Sequence, residues 1–337
     1  MDEIRSILNE YGLQLEYAES VSDKVYKVYT NHGAFALKQL SANRNSRFTD
    51  QMIQLEKLGY RSFVPVYRTH SGQFLAGQDS FYYLMPWLHN DKKEERDQKH
   101  VHLFKETALM HKRTMKEIKI NRTDVEKHYE DTKKKWEEQK LVYEKFVDRA
   151  EREWYLSPFE LQAVTYFSET IQATDFASER LEQWYEAIKE KETTRLALTH
   201  GQISVHHFLY NDVGNGYFTN FEKAEFAPPI NDLLLFYTRT FKTYPKTCSE
   251  CADWYYTYHR NSPLLDEEVN LLLSYMAYPH YLFKVINRYQ SEQNQNEKME
   301  CTELIKSYWQ MKNTEPFVTQ IHENEENRKR QEESSSS

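Results

Sequence analysis

The sequence predicts an α+β chain, with a small β-rich N-terminal part and a larger, mainly helical part after it. Three observations predict this. Short aromatic and β-branched runs punctuated by turn residues are concentrated before residue 88. An almost wholly charged stretch, Asp91 to Lys99, follows them and reads as an exposed connection. Beyond it, long segments carry apolar residues at spacings of three, four and seven, the period of a helix with one buried face. The expected organisation is an N-terminal lobe over 1–88, a helical lobe over 89–318, and a disordered charged and serine tail over 319–337.

Residues 2 to 10 read as a short helix with Ile4, Ile7 and Leu8 on one face. Tyr26 to Tyr29 and Ala34 to Lys38 flank the turn signal Asn31-His32-Gly33 and form a hairpin. A helix is expected from Arg47 to Leu58, stopped by Gly59. Two strands follow at Val64 to Thr69 and Gln73 to Ala76, with Ser71-Gly72 turning between them, and a last apolar strand at Phe81 to Trp87.

The helical part opens at His102 to Met115. Between Arg122 and Ser157 there is neither Gly nor Pro, so a helix of ~30 residues, ~45 Å long, is expected. Its apolar stripe breaks around Gln139 and Lys140, which favours a helix folded back on the domain over a coiled coil. Leu161 to Lys191 is helical. Phe208 to Tyr210 and Tyr217 to Thr219 flank an Asn- and Gly-rich turn and make a second hairpin. Helices return over Ile230 to Tyr258 with a break at Pro245, over Asp266 to Gln290, and over Cys301 to Lys312. From Glu323 onward there is no apolar residue.

Composition excludes several functions. The 337 residues carry a net charge of -8, which argues against a nucleic-acid partner. No apolar run approaches the ~20 residues of a membrane span, and the first residues lack the order of a signal peptide, so cytoplasmic synthesis is expected. Three cysteines make no disulfide framework; Cys248 and Cys251 form one Cys-x-x-Cys without a second ligand pair for zinc, and read as two ordinary thiols. There are only 8 glycines against about 24 at ordinary usage, and no phosphate-cradling glycine pattern occurs. Tyrosine, by contrast, numbers 25.

The segment Leu198-Thr199-His200-Gly201-Gln202-Ile203-Ser204-Val205-His206-His207 resembles the catalytic loop of the aminoglycoside and choline kinase superfamily, where His-Gly-Asp is followed four residues later by Asn. A hairpin and Asn220-Phe221-Glu222 then stand where that family carries Asp-Phe-Asp or Asp-Phe-Glu. Asp232 matches an Asp that braces the loop, Lys38 a Lys that contacts ATP phosphates, and Thr107 to His111 a helix with an Ala-x-x-His ending. Within the superfamily the chain is similar to the CotS-related spore-coat branch, in its inserted charged helices, Met85-Pro86-Trp87 hinge and tyrosine content.

The resemblance implies a bilobal, protein-kinase-like fold with a degenerate site. Gln202 replaces the catalytic Asp and cannot act as a base, a loss that typically costs ~10²- to 10⁴-fold in rate. His207 replaces the metal-binding Asn, and Asn220 the main metal-binding Asp, although Mg²⁺ prefers hard oxygen donors. Ser20 to Lys24, where a phosphate-covering loop belongs, is poor in glycine. No catalytic residue, no metal and no cofactor is therefore expected, with ATP and Mg²⁺ binding weak at most; Lys38 and Glu222 are the residual nucleotide contacts. A helix partner for Lys38 would be Glu56 or Asp50. His206 and His207 side by side are a poor metal pair. The implied function is an inactive kinase-fold component of the bacterial spore coat, made in the mother-cell cytoplasm, with other coat proteins as partners. The alternative is a low-activity or non-standard phosphotransferase or nucleotide transferase using Glu222 or Asp212.

Overall fold

The computed structural model describes residues 2–40, 45–78, 80–88, 96–243, 247–291 and 296–336. It has a small antiparallel N-terminal sheet and a larger helical part. Helix α1 (Asp2–Glu10) buries Ile4, Ile7 and Leu8. Strands β1 (Leu15–Ser22), β2 (Val25–Thr30), β3 (Gly33–Leu40) and β4 (Phe81–Pro86) form one four-stranded antiparallel sheet in chain order, with α2 (Asn45–Lys57) between β3 and β4. Val28, Leu37, Tyr82 and Leu84 from the sheet pack on the α1 face.

The expected strands at 64–69 and 73–76 are absent. That segment is irregular, held by single bridges from Phe63 to Phe218 and from Ala76 to Tyr82. Strand β1 was not foreseen, because most of its residues are exposed and show no alternation. It makes the stretch over Ser20 to Lys24 a tight hairpin, with Ser22 paired to Val25 and only Asp23 and Lys24 in the turn.

Next come α3 (Arg96–Thr114), β5 (Lys116–Lys119), α4 (Arg122–Ala150), α5 (Pro158–Lys189), β6 (Thr193–Thr199), β7 (Phe208–Tyr210), β8 (Gly216–Phe218), β9 (Glu225–Ala227) and α6 (Ile230–Thr243). The chain closes with α7 (Cys251–Asn261), α8 (Asp266–Ala277), α9 (His280–Ser291) and α10 (Glu297–Ser336). Of the expected charged connection, residues 91–95 lie outside the described residues, as does Pro245; residues 96–99 begin α3.

Two compact units result, and they do not follow chain order. One comprises Met1–Met115 with Ala197–Asp232; the other comprises Lys116–Leu196 with Leu233–Ser337. In the second, α4 does fold back: Tyr143 and Phe146 are buried, and the Tyr143 hydroxyl donates to the Ala163 carbonyl at 2.6 Å. Helix α5 starts at a capping box, Ser157 with Glu160, preceding a run that continues unbroken for 32 residues. The single helix expected over 266–290 is instead α8 and α9, because Pro279 cannot continue the first.

Two further expectations fail in this unit. The tail is not disordered: residues 319–336 continue α10, where Arg328 pairs with Glu325, Glu332 and Asp266, and Asn324 reaches Tyr256. Ile321 anchors the tail's start in the core, and beyond it ion pairs three and four residues apart support turns that have no apolar residue. Cys248 and Cys251 are not two separate thiols but a disulfide, while Cys301 is free.

Candidate functional site

The residues singled out by the sequence converge in the first unit, around the loop from His200 to His207. Its geometry is set from beneath. Asp232, in the first turn of α6 and wholly buried, accepts from the backbone N–H groups of His200 at 2.7 Å and of Gly201 at 2.8 Å. The buried His111 ring of α3 lies 3.1 Å from the same carboxylate. Burial by itself would raise Asp232, but hydrogen bonds and charge from His111 and His200 outweigh it and hold the carboxyl below its usual value. Gly201 has φ +73°, and a Cβ there would stand 2.4 Å from the Lys223 carbonyl oxygen, so only glycine fits.

His200 points inward, donating from Nε2 to the Thr219 carbonyl at 2.7 Å. Its burial pushes the ring's pKa down to about 4 despite nearby Asp232. His200 therefore fastens the loop to the segment after the β7–β8 hairpin and is neutral at neutral pH.

That segment carries Asn220, the one non-glycine with positive φ among the described residues (φ 69°, ψ 45°). Asn tolerates this left-handed conformation better than most residues. Its side chain joins a continuous chain of hydrogen bonds. Lys38 Nζ donates to Asn220 Oδ1. Asn220 Nδ2 donates to His207 Nε2 at 3.1 Å, and His207 Nδ1 donates to the Gln202 carbonyl at 2.9 Å. A carbonyl can only accept, so the proton sits on Nδ1 and Nε2 is the acceptor; the amide orientation agrees with this at both ends. Gln202, largely buried, turns its Nε2 to donate to the Asn220 backbone carbonyl at 2.8 Å. It therefore fastens the loop to Asn220 through a bond that a carboxylate could not make.

Lys38 meets its counter-charge where the sequence did not place it. Glu222 Oε1 lies 2.8 Å from Lys38 Nζ, both side chains being mostly buried, and Tyr83 donates to the same oxygen at 3.2 Å. Tyr83 faces Lys38 across the β3–β4 pair. Burial lowers the Lys38 pKa and Glu222 opposes that shift; burial, with Glu222 beside it, raises Tyr83 well above the ordinary phenol value. Glu56 instead pairs with Arg68 at 2.7 Å, and Asp50 is exposed. Helix α2 reaches this region through Gln51, which donates to the Ala224 carbonyl. Tyr83 was the residue that sequence reasoning missed; its signal is the strand register, legible only once β3 and β4 are paired.

Lys38, His207 and Asn220 form the polar end of a cleft of about 590 Å³, whose walls include Val25, Ala36, Val64, Met85, Trp87 and Leu209. Asp23, Lys24 and His206 also line it. Asp212 sits on the exposed turn between β7 and β8 and is not among the lining residues. Among the described residues, no group of three or more His, Cys, Asp or Glu side chains is placed to hold a metal ion.

No family model matches the sequence, and no curated protein is detectably similar to it. Solved structures are. An aminoglycoside phosphotransferase from Alicyclobacillus acidocaldarius superposes with a TM-score of 0.70 at 14% identity, covering 95% of this chain and 96% of that one. A microcompartment-associated aminopropanol kinase gives 0.54 at 12%, covering 94% and 97%. A spectinomycin phosphotransferase, bound to AMP, gives 0.52 at 12%, covering 93% and 97%. The chain therefore has the kinase-like fold of the aminoglycoside phosphotransferases, with its small antiparallel N-terminal lobe and larger helical part. At such identities the likeness defines the fold alone.

Proposed function

We propose that the chain is a catalytically inactive kinase-fold protein, a pseudokinase, acting as a structural or interaction component of the bacterial spore coat. The observation that carries the inactive reading is the closed relay Lys38–Asn220–His207–Gln202. Phosphoryl transfer on this fold needs Mg²⁺ to offset the charge of ATP and a residue to orient the nucleophile. Mg²⁺ asks for hard oxygen donors in near-octahedral array. The side chains at the two matched positions offer an imidazole nitrogen that already accepts from Asn220, and an amide oxygen that already accepts from Lys38. They do not fit the ion. Gln202 has no titratable group, and its amide is committed to a backbone carbonyl. Lys38 is ion-paired with Glu222.

The coat assignment rests on the sequence resemblance, and other coat proteins are the partners it implies. A net charge of -8 speaks against nucleic acid as a partner, and no helix among the described residues is long and apolar enough to cross a membrane. Titration calorimetry with ATP, with and without Mg²⁺, tests the first half: no metal-dependent heat is expected, and no turnover. A tagged copy in sporulating cells tests the second, and a signal that never joins the spore overturns it. The cleft with Lys38 at its polar end favours one other reading, a low-activity phosphotransferase or nucleotide transferase. Tight Mg²⁺-dependent ATP binding, abolished in Lys38→Ala, would establish that reading instead.

A further inference from the structure

The Cys248–Cys251 disulfide lies in the second unit, and nothing in the kinase-like site uses it. Its Cα atoms are 5.5 Å apart. The bond does little to hold the fold. Closing so short a loop removes the least entropy from the unfolded chain. The helices it adjoins are already fixed: the Tyr237 hydroxyl donates to the Cys251 carbonyl at 3.0 Å, and Phe236 meets Trp254 edge-on at 6.1 Å. Tyr237 also packs on Phe317 of α10 at 4.3 Å.

The two sulfurs are unequal. Cys251 is the first residue of α7 and fully buried, so a thiolate there lies at the positive end of an 11-residue helix, with Asp253 of the same turn as the opposing charge. Cys248 lies upstream with 7% of its surface exposed, and a Glu250 carboxylate oxygen stands 3.9 Å from its sulfur. Negative charge is thus favoured on Cys251 and disfavoured on Cys248. Both residues are buried, and exchange proceeds by attack on the less buried sulfur and departure of the better-stabilised thiolate.

We propose that Cys248 and Cys251 form a reversible dithiol–disulfide couple, opened by small thiols through attack on Cys248. The incoming thiolate forms an S–S bond to Cys248 Sγ as the Cys248–Cys251 bond breaks; the electron pair leaves on Cys251 Sγ, which takes a proton from water. A second reductant thiolate then attacks the first reductant's sulfur and releases Cys248 as a thiol. Two electrons and two protons enter the protein, and the reductant leaves as its own disulfide.

The test uses the full chain equilibrated with mixtures of reduced and oxidised glutathione, quenched with acid, unfolded, alkylated and weighed by mass spectrometry. One alkylated cysteine, the free Cys301, is expected at the oxidising end and all three at the reducing end, with the change reversible. Cys251→Ser should accumulate a glutathione adduct on Cys248, while Cys248→Ser leaves Cys251 about tenfold less modified. Three alkylated cysteines in every mixture would overturn the proposal, since no bond then forms. So would a bond that opens only after denaturant is added, or equal adducts on the two variants.

Discussion

Two parts of one loop have fared differently. Beneath it, the brace of His111, Asp232 and the amides of His200 and Gly201 is complete, with a buried charge whose partners are all in place. On its cleft side, Lys38, Gln202, His207 and Asn220 present neutral or neutralised groups that satisfy one another. Shape and chemistry in this loop are therefore separable. A buried carboxylate fixes the backbone through N–H groups that every residue type except proline supplies, so the side chains displayed above can change while the path of the chain persists.

That contrast predicts unequal costs. Asp232→Ala leaves two buried N–H groups and the His111 ring without their acceptor, and should cost about 3–5 kcal/mol in denaturant unfolding. An Asp232→Ala loss no larger than that of a cleft-side change would break the comparison. The pH dependence comes next. The folded-state pKa of His200, about 4, lies below its ordinary 6.5, so the unfolded chain binds the proton more readily. Its contribution is whole above pH 6.5 and is lost as pH falls toward 4, up to about 3 kcal/mol. Urea midpoints over this range should fall more steeply in the native chain than in His200→Gln. Asp232, held below its ordinary value, adds its own loss only at lower pH.

A third test rebuilds the cleft side. The triple change Gln202→Asp, His207→Asn, Asn220→Asp should introduce Mg²⁺-dependent protection by ATP, about 2.7 kcal/mol at a hundredfold excess over Kd, where none is expected of the native chain. Equal thermal shifts in both proteins would mean that these three side chains do not govern ATP binding in the cleft. The smallest effect belongs to Asn220→Ala, which removes the half-buried hydrogen bonds to Lys38 and His207 and sets alanine at a positive φ; it should lower stability by about 1–2 kcal/mol.

Much of this was legible beforehand, for reasons that differ by element. Helix α1, the β2–β3 and β7–β8 hairpins, α2 and α4 announce themselves through periodicity and turn residues, which act locally. The convergence of Gln202, His207 and Asn220 followed from a resemblance in their order and spacing. Exposed β1 has no pattern to read, and β5 and β6 take their places from tertiary pairing. The pairing of Lys38 with Glu222 was also hidden. Residues 184 positions apart in sequence meet only after the sheet has set Tyr83 opposite Lys38, and charge alone made Glu56 an equal candidate. The α10 tail misled through composition, since beyond the buried Ile321 it is supported by ion pairs and not by apolar spacing.

The bond from Gln202 to the Asn220 carbonyl sets the terms on which single changes here are tolerated. Gln202→Asp alone would set a carboxylate against that carbonyl oxygen, two acceptors with no proton between them. Asn220→Asp alone would place a second carboxylate beside Lys38 and take from His207 Nε2 the N–H it accepts. Each acidic substitution made alone therefore meets a partner arranged for an amide. Such a loop resists piecemeal change: its amides are held as a set, and the cost of altering one is carried by its neighbours.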